Sequence, residues 1–336
     1  MRDGGEARGQ GARAPWTTAA LPDLSGKTIV VTGANSGLGW ETALELARKR
    51  ASVVLACRNV ENGREAAARI AERAPGAAVE VMALDLASLA SIRAFADAFR
   101  TRHGALHVLV NNAGVMALPY RTTTDGFEMH FGTNHLGHFA LTGLLLEPLL
   151  AVADARVVTV SAGFYRLGRI HFDDLHWQQR RYRTWLAYAQ SKLANLLFMF
   201  ELQRRVDAAG ASLVSIACHP GYAATNLQSA GPRMRGSGML EALMRVANRW
   251  LAQSAAMGAL PTLYAAAAPE ARGGQYIGPD GFAESSGHPT VVGCNAAARD
   301  PEAARRLWDV SEELTGVTYP ALVPGKPVAV LDRASR

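Results

Sequence analysis

The sequence predicts an α/β fold, in which a doubly wound parallel sheet carries helices on both faces within a single domain. Short apolar runs alternate with helical patterns through most of the 336 residues. Several runs, such as residues 28–31 and 157–160, are almost continuously apolar, which is typical of parallel strands buried on both faces. A Gly-rich segment directly follows the first run, as in sheets that bind a nucleotide at their carboxyl edge.

Seven runs are predicted to be strands, in this order: Lys27–Thr32, Ser52–Cys57, Ala78–Ala83, Leu106–Val110, Arg156–Val160, Ser212–Cys218 and Gln275–Ile277. The first three connecting helices are predicted over Trp40–Arg50, Glu61–Ala74 and Ser88–Arg102. Residues 1–22 are polar and Gly-rich, and they predict a disordered tail before a domain of residues 23–336. No repeat or linker divides that domain.

Composition excludes several classes of protein. No run approaches the roughly 18 consecutive apolar residues of a membrane-spanning helix. The three cysteines, Cys57, Cys218 and Cys294, are far apart, so we expect no disulfide framework and a cytoplasmic location. The net charge is +6, but the basic and aromatic stretch at residues 166–185 is interrupted by Asp173 and Asp174, and we expect no nucleic-acid partner.

Residues 32–39, Thr-Gly-Ala-Asn-Ser-Gly-Leu-Gly, lie between the first strand and the first helix. Glycines at this place allow a tight turn and let backbone N–H groups approach a pyrophosphate at the helix N-terminus. The segment therefore predicts a dinucleotide site, formed by Gly33, Asn35, Ser36, Gly37, Leu38 and Gly39.

The end of the second strand indicates which dinucleotide binds. An NAD site has an acidic side chain there, which accepts hydrogen bonds from the ribose hydroxyls. This chain has Arg58 and Asn59, and its first carboxylate is Glu61. Because a guanidinium can pair with a 2′-phosphate, these residues favour NADP(H) over NAD.

Tyr188 and Lys192 are four residues apart, on one face of a predicted helix. A nearby ammonium group stabilises a phenolate and lowers the pKa of the phenol, which is the change that general acid–base catalysis needs. Residues 196–200 of the same helix are nearly all apolar. They predict burial against the sheet and leave open a homo-oligomer interface.

From residue 23 onward the chain resembles the short-chain dehydrogenase/reductase family, in particular its retinol-dehydrogenase-like and protochlorophyllide-reductase-like branch. The resemblance rests on the glycine loop, Asp85-Leu86, Asn111-Asn112-Ala113-Gly114, Asn134, the Tyr188–Lys192 pair and His219-Pro220-Gly221. It implies a Rossmann-type fold. It also implies cofactor contacts from Asp85, Leu86, Asn112, Ala113, Gly114, Tyr188, Lys192, Pro220 and Gly221.

By the same resemblance, Tyr188 is the acid/base, and Lys192 lowers its pKa and binds the nicotinamide ribose. Asn134 would order a water molecule that links Lys192 to solvent. One position departs from the family pattern, because Ala162 stands where a serine usually binds the substrate oxygen. Three outcomes follow: Ser161 turns inward instead, a water molecule or substrate group substitutes, or catalysis is weak.

Two other features of the sequence each allow two interpretations. His135 and His138 are three residues apart, but no third ligand accompanies them, so no metal is expected. Residues 226–260 begin polar and continue as an amphipathic pattern, which favours a substrate lid over a membrane-surface helix. With Phe164, Trp177, Trp185 and Tyr222 expected nearby, the pocket should accept a lipophilic carbonyl compound or alcohol.

The sequence thus predicts an NADP(H)-dependent oxidoreductase that interconverts a lipophilic carbonyl compound and an alcohol by hydride transfer. Two alternatives stay open. One is a weakly catalytic NADP(H)-binding sensor or scaffold, which the alanine at position 162 would explain. The other is a reductase of carbon–carbon double bonds.

Overall fold

The computed structural model of the chain describes residues 15–221 and 254–323. Eight strands form one sheet in the order β3-β2-β1-β4-β5-β6-β7-β8, in which only β8 is antiparallel to its neighbour. The strands are β1 (Thr28–Thr32), β2 (Ser52–Cys57), β3 (Val79–Ala83), β4 (Val108–Asn111), β5 (Ala155–Val160), β6 (Leu213–Cys218), β7 (Tyr276–Pro279) and β8 (Pro289–Val291). The predicted doubly wound α/β fold is confirmed.

Helices cover both faces of this sheet. They are α1 (Gly37–Arg48), α2 (Val60–Arg73), α3 (Leu89–Arg102), α4 (Met129–Phe131), α5 (Gly137–Leu144), α6 (Leu146–Leu150), α7 (Thr184–Ala209), α8 (Ala255–Ala267), α9 (Ala296–Arg299) and α10 (Pro301–Thr315). A π-helical turn, Gly132–Leu136, joins α4 to α5. None of the helices in the described part of the chain is long and apolar enough to cross a membrane.

Strand β1 shows why the apolar runs are continuous. Ile29 and Val31 belong to the hydrophobic cluster that contains Leu44 of α1, on one face of the sheet. Val30 belongs to the cluster on the other face, which contains Phe139 of α5. All three β1 side chains are fully buried, and each contributes about 1.5–3 kcal/mol of stabilisation. A polar residue at any of these positions would lose that contribution.

The strand order places the site. Strand β1 pairs with β2 on one side and with β4 on the other, so the chain reverses its winding direction between β1 and β4. The loops that follow these strands therefore separate and leave a crevice at the carboxyl edge of the sheet. The glycine loop and the segment after Asn111 both lie at this crevice.

Two predicted boundaries need correction. The tail was expected to reach residue 22, but residues 15–22 are described and contribute to the core, since Leu21 is buried and Trp16 packs edge-on against Tyr264 at 5.3 Å. The expected lid lies outside the described residues at 226–253. Its last part, residues 255–260, instead begins α8, which packs against α1.

The apolar segment of α7 is covered within the chain itself. Leu196 belongs to a cluster with Leu307 of α10, and Phe198 stacks on Trp308 of the same helix at 5.9 Å. Helix α10 buries this face because its own apolar side is formed by Leu307 and Trp308. These α7 residues therefore need no second subunit to be buried.

Candidate active site

The carboxyl ends of β1, β2 and β4 enclose a cleft of about 410 Å³. Its lining includes the glycine loop and the residues that follow β3, Leu84, Asp85 and Leu86. Most of the residues predicted to bind the cofactor line it: Gly33, Asn35, Ser36, Gly37, Leu38, Gly39, Arg58, Asn59, Asp85, Leu86, Asn112, Ala113 and Gly114.

The glycine loop is closed tightly against the segment that follows β4. Gly33 has a φ of +66°, in the left-handed region that favours glycine. A Cβ on Gly39 would lie only 2.5 Å from the Gly33 carbonyl oxygen and 2.5 Å from Asn112 Nδ2. Only glycine permits this close approach, and it leaves the backbone exposed to a pyrophosphate. The cleft thus fits a dinucleotide.

Thr32, which was not predicted as a site residue, joins the two sides of this cleft. Its hydroxyl oxygen accepts hydrogen bonds from the backbone N–H groups of Asn112 and Ala113, both at 2.9 Å. Asn112 Nδ2 donates in turn to the Thr32 carbonyl oxygen at 2.7 Å. A threonine at the end of a strand gave no specific signal in the sequence, because its partners are about 80 residues away.

The rim of the cleft beside β2 is basic. Arg58 is exposed there, whereas the Asn59 side chain accepts a hydrogen bond from the N–H of Asn62 and caps α2. A second guanidinium, that of Arg69, donates to the Asn35 carbonyl oxygen at 3.1 Å. Asp85 is the acidic residue among those that line the described cleft, and it follows β3 rather than β2.

Tyr188 and Lys192 lie on α7, and each is only 4% exposed. Lys192 Nζ donates to the Val160 carbonyl oxygen at 3.0 Å and lies 5.8 Å from the centre of the Tyr188 ring. Burial raises the pKa of Tyr188 and lowers the pKa of Lys192 to about 8. Desolvation therefore acts on Tyr188 in the opposite direction to the lowering expected from the ammonium group.

Asn134 lies in the π-helical turn and connects three parts of the site. Its Oδ1 accepts a hydrogen bond from the Val115 N–H at 2.7 Å, and its Nδ2 donates to the Val115 carbonyl oxygen at 3.0 Å. Nδ2 also donates to Ser191 Oγ at 2.9 Å. The side-chain amide thus ties the segment after β4 to α7, immediately beside Lys192. Its expected role in ordering water stays a prediction.

The hydroxyl group of Ser161 is already engaged. Ser161 is 2% exposed, and its Oγ donates to the Lys192 carbonyl oxygen at 2.8 Å. Ala162 follows it and lines a second pocket, beside the cofactor cleft. This geometry argues against Ser161 as a replacement for the serine that the family usually has at position 162.

A second pocket of about 520 Å³ shares Leu38, Asn112 and Gly114 with the cofactor cleft. It is lined by the catalytic candidates and the segment after β6: Ser161, Tyr188, Lys192, Pro220 and Gly221. Phe164 and Trp185 stack at 5.0 Å and form an aromatic wall beside Tyr188. Trp177 is not in this wall; it packs under Arg180, and Tyr222 lies outside the described residues.

Comparisons with known proteins agree with this geometry. A family profile described as short chain dehydrogenase matches residues 27–174. Retinol dehydrogenase 13 of Homo sapiens is 42% identical over 301 residues, which cover 89% of this chain and 87% of that protein. The chain belongs to the short-chain dehydrogenase family. The predicted resemblance to its retinol-dehydrogenase-like members is confirmed.

Two solved structures are similar to this short-chain dehydrogenase. An uncharacterized protein from Mycobacterium Paratuberculosis superposes with a TM-score of 0.75 at 45% identity, covering 91% of this chain and 99% of the other. A protein assigned as an NAD(P)-dependent gluconate 5-dehydrogenase from Beutenbergia cavernae, with NADP bound at low occupancy, gives a TM-score of 0.58 at 26% identity. That match covers 76% of this chain and 95% of the other.

One ionic cluster in the pocket of this dehydrogenase was not predicted. Arg166 Nη2 donates to both carboxylate oxygens of Glu284 at 2.9 Å, and His219 Nε2 lies 3.0 Å from Glu284 Oε2. Hydrogen bonding from His219, together with Arg166, lowers the pKa of Glu284 to about 2. Arg166 and Glu284 are 118 residues apart, so the sequence carries no local signal for this contact.

His135 and His138, which follow Asn134 in the chain, contact different partners. His135 Nε2 lies 2.9 Å from Ser311 Oγ of α10, whereas His138 contacts Asn134 and Thr32. Within residues 15–221 and 254–323, no group of three metal-ligating side chains comes together. The Cys218 thiol is fully buried, and burial raises its pKa to about 12, as expected for an unreactive side chain.

Proposed function

We propose that this protein is an NADP(H)-dependent oxidoreductase that interconverts a lipophilic carbonyl compound and the corresponding alcohol. One observation carries the proposal: Tyr188 and Lys192 line a pocket that shares Leu38, Asn112 and Gly114 with the dinucleotide cleft. A nicotinamide cofactor bound in that cleft would supply or accept the hydride. The side chains of the protein then need only to transfer the proton and to orient the substrate.

Tyr188 is suited to give a proton to the carbonyl oxygen. Because burial raises its pKa, the phenol stays protonated at neutral pH and is ready to donate during reduction. Lys192 has a pKa of about 8, so it can gain or lose a proton near neutral pH at small cost. Asn134, hydrogen-bonded to the neighbouring Ser191, holds this part of α7 in place.

The aromatic wall supports a lipophilic substrate. Phe164 and Trp185 are each 39% exposed and lie next to Tyr188, so an apolar ring or chain would cover them on binding. The similarity to a human retinol dehydrogenase supports the same class of substrate.

The basic rim supports NADP(H) as the cofactor. We expect Arg58→Asp to weaken NADPH binding by about tenfold or more, because the substitution removes a charge-assisted contact and adds repulsion. NADH binding should be much less affected. Fluorescence titration with both cofactors measures this, and Arg305→Asp, at an exposed arginine of α10 that does not line the cleft, is the matched control. Equal losses for both cofactors would count against a 2′-phosphate contact.

The decisive experiment measures NADPH oxidation with a panel of aliphatic, aromatic and isoprenoid aldehydes and ketones. Tyr188→Phe should abolish turnover and leave NADPH affinity within about twofold, since only the acid/base hydroxyl is removed. Tyr120→Phe, at an exposed tyrosine outside the pocket lining, should behave like the wild type. Turnover that survives Tyr188→Phe would disprove the assignment.

A second candidate function is a cofactor-binding sensor with little catalysis. The methyl group of Ala162 and the engaged serine hydroxyls favour it. Ser161 Oγ donates to the Lys192 carbonyl oxygen and Ser285 Oγ to the Phe282 carbonyl oxygen, so Tyr188 is left as the unengaged side-chain hydroxyl donor among the residues that line the described pocket. Tight NADPH binding without turnover of any compound in the panel would support this candidate.

A further inference from the structure

A buried imidazole connects the cofactor loop to the catalytic residues. His138 lies at the start of α5 and is 1% exposed. Its Nδ1 is 2.9 Å from the Asn134 carbonyl oxygen, and its Nε2 is 3.0 Å from Thr32 Oγ1. The two ring nitrogens therefore span from the end of β1 to the π-helical turn.

The direction of both hydrogen bonds follows from their partners. A carbonyl oxygen can only accept, so Nδ1 of His138 carries a proton and donates it to Asn134. Thr32 Oγ1 already accepts two backbone N–H groups, those of Asn112 and Ala113. Its own proton has two acceptors within reach, the Val110 carbonyl oxygen at 3.3 Å and Nε2 of His138 at 3.0 Å. Because Nδ1 already carries the one proton of a neutral ring, Nε2 can only accept, so the Thr32 hydroxyl donates to it and the ring is the neutral Nδ1–H tautomer.

This tautomer is stable over the physiological range of pH. Burial, together with the nearby ammonium of Lys192, lowers the pKa of His138 to about 4. A second proton on the ring would also face Thr32 Oγ1, where both acceptor positions are filled. The imidazole is therefore a fixed connector and does not serve as an acid or base near neutral pH.

We propose that His138 is a positioning residue that couples cofactor binding to the catalytic helix of this dehydrogenase. The connection runs from Thr32 at the cofactor loop, through His138, to Asn134, whose side chain holds Ser191 beside Lys192. Cofactor contacts that fix the position of the loop therefore also fix the positions of Asn134 and α7. The expected effect on catalysis rests on the proposed oxidoreductase function. The expected effect on NADPH affinity does not, because it concerns cofactor binding alone.

Three substitutions of His138 test the contributions of its two hydrogen bonds separately. His138→Asn places an amide near the position of Nδ1 and keeps the bond to Asn134, but it loses the bond to Thr32. His138→Gln reaches the position of Nε2 and keeps only the Thr32 bond. His138→Leu removes both bonds and retains an apolar side chain of similar bulk.

His135→Leu is the matched control. His135 lies three residues earlier, is also 1% exposed and has one buried hydrogen bond, but its partner is Ser311 on α10, away from the cofactor. The loss of Tm in this variant shows what a purely structural defect does. Each variant is tested in the full chain for Tm, for NADPH affinity by fluorescence titration, and for kcat and KM.

His138→Leu should raise the Kd for NADPH about fivefold and lower kcat about tenfold, with a much smaller change in KM. His138→Asn and His138→Gln should each show part of both defects, because either one breaks the connection. His135→Leu, at a comparable loss of Tm, should leave the Kd for NADPH and kcat within about twofold of the wild type.

The proposal is overturned if His138→Leu and His135→Leu have the same Kd for NADPH and the same kcat. It is also overturned if His138→Asn restores both quantities, since the Thr32 bond would then be unnecessary. If the wild type binds NADPH but turns over no substrate, the oxidoreductase function fails. The effect of His138→Leu on NADPH affinity then still tests whether His138 contributes to cofactor binding.

Discussion

At the scale of single residues, the substrate pocket combines a buried phenol with a missing hydroxyl group. Tyr188 lines the pocket together with Ala162, and the nearby Ser161 hydroxyl is bonded to the Lys192 carbonyl oxygen. The Ser285 hydroxyl, which also lines the pocket, donates to the Phe282 carbonyl oxygen at 2.7 Å. Among the described residues, Tyr188 would thus be the one side-chain hydroxyl left to stabilise the developing charge on a substrate oxygen. In related reactions, removal of one such donor costs about two to three orders of magnitude in rate.

Ala162→Ser should therefore raise kcat by at least about tenfold, because a hydroxyl at this half-buried position adds a second donor to the substrate oxygen. Steady-state kinetics with the best substrate of the panel measures the effect. Ala162→Cys, which adds an atom of similar position but a much weaker donor, is the control. An unchanged kcat would mean that water or a substrate group already fills this role.

Lys192 makes stability depend on pH. Its pKa is about 8 in the folded chain and near the ordinary 10.5 when unfolded, so between these values the unfolded chain binds more protons. This group should therefore raise the free energy of unfolding by about 2 kcal/mol from pH 7 to pH 9.5.

Urea unfolding of the cofactor-free protein at both pH values measures this contribution, and Lys192→Met should lack it. The quantity to compare is the difference in free energy of unfolding between wild type and variant. Identical pH dependence in the two proteins would show that the ammonium group is not desolvated as the structure indicates.

At the scale of elements, the strand–loop–helix unit from β1 to α1 depends on close backbone contacts. Its apolar strand and its glycine loop were both predicted from the sequence, since each leaves a local pattern. The sequence predicts a start of α1 at Trp40, whereas the helix begins at Gly37. Glycines obscure such a boundary because they have low helix propensity.

Gly39→Ala tests how tightly this unit is closed. The added Cβ would lie 2.5 Å from the Gly33 carbonyl oxygen, so α1 must move away from the loop. We expect a loss of about 1–3 kcal/mol in stability and a loss of NADPH affinity of at least about tenfold. Gly104→Ala, where no atom lies within 4 Å of the new Cβ, should leave both unchanged. Normal NADPH binding by Gly39→Ala would contradict the tight loop.

At the scale of the whole molecule, the C-terminal helix α10 completes the core. Trp308 packs against Phe139 of α5 at 5.1 Å and against Phe198 of α7 at 5.9 Å. The sequence left open whether the apolar face of α7 meets a second subunit, and the fold covers it from within the chain. No local sequence pattern distinguishes burial against a second subunit from burial against α10, because an apolar face can pack against either one.

The sequence by itself determined the seven parallel strands, the cofactor loop and the Tyr188–Lys192 pair, whereas the short antiparallel strand β8 was not predicted. These features arise from periodicity and short motifs, which depend on neighbours in the chain. Only the tertiary structure decided that the Ser161 hydroxyl bonds to Lys192, that His138 joins Thr32 to Asn134, and that Arg166 pairs with Glu284. Those contacts join residues as much as 118 positions apart, and a hydrogen bond is set by distance and angle in space, which no local pattern encodes.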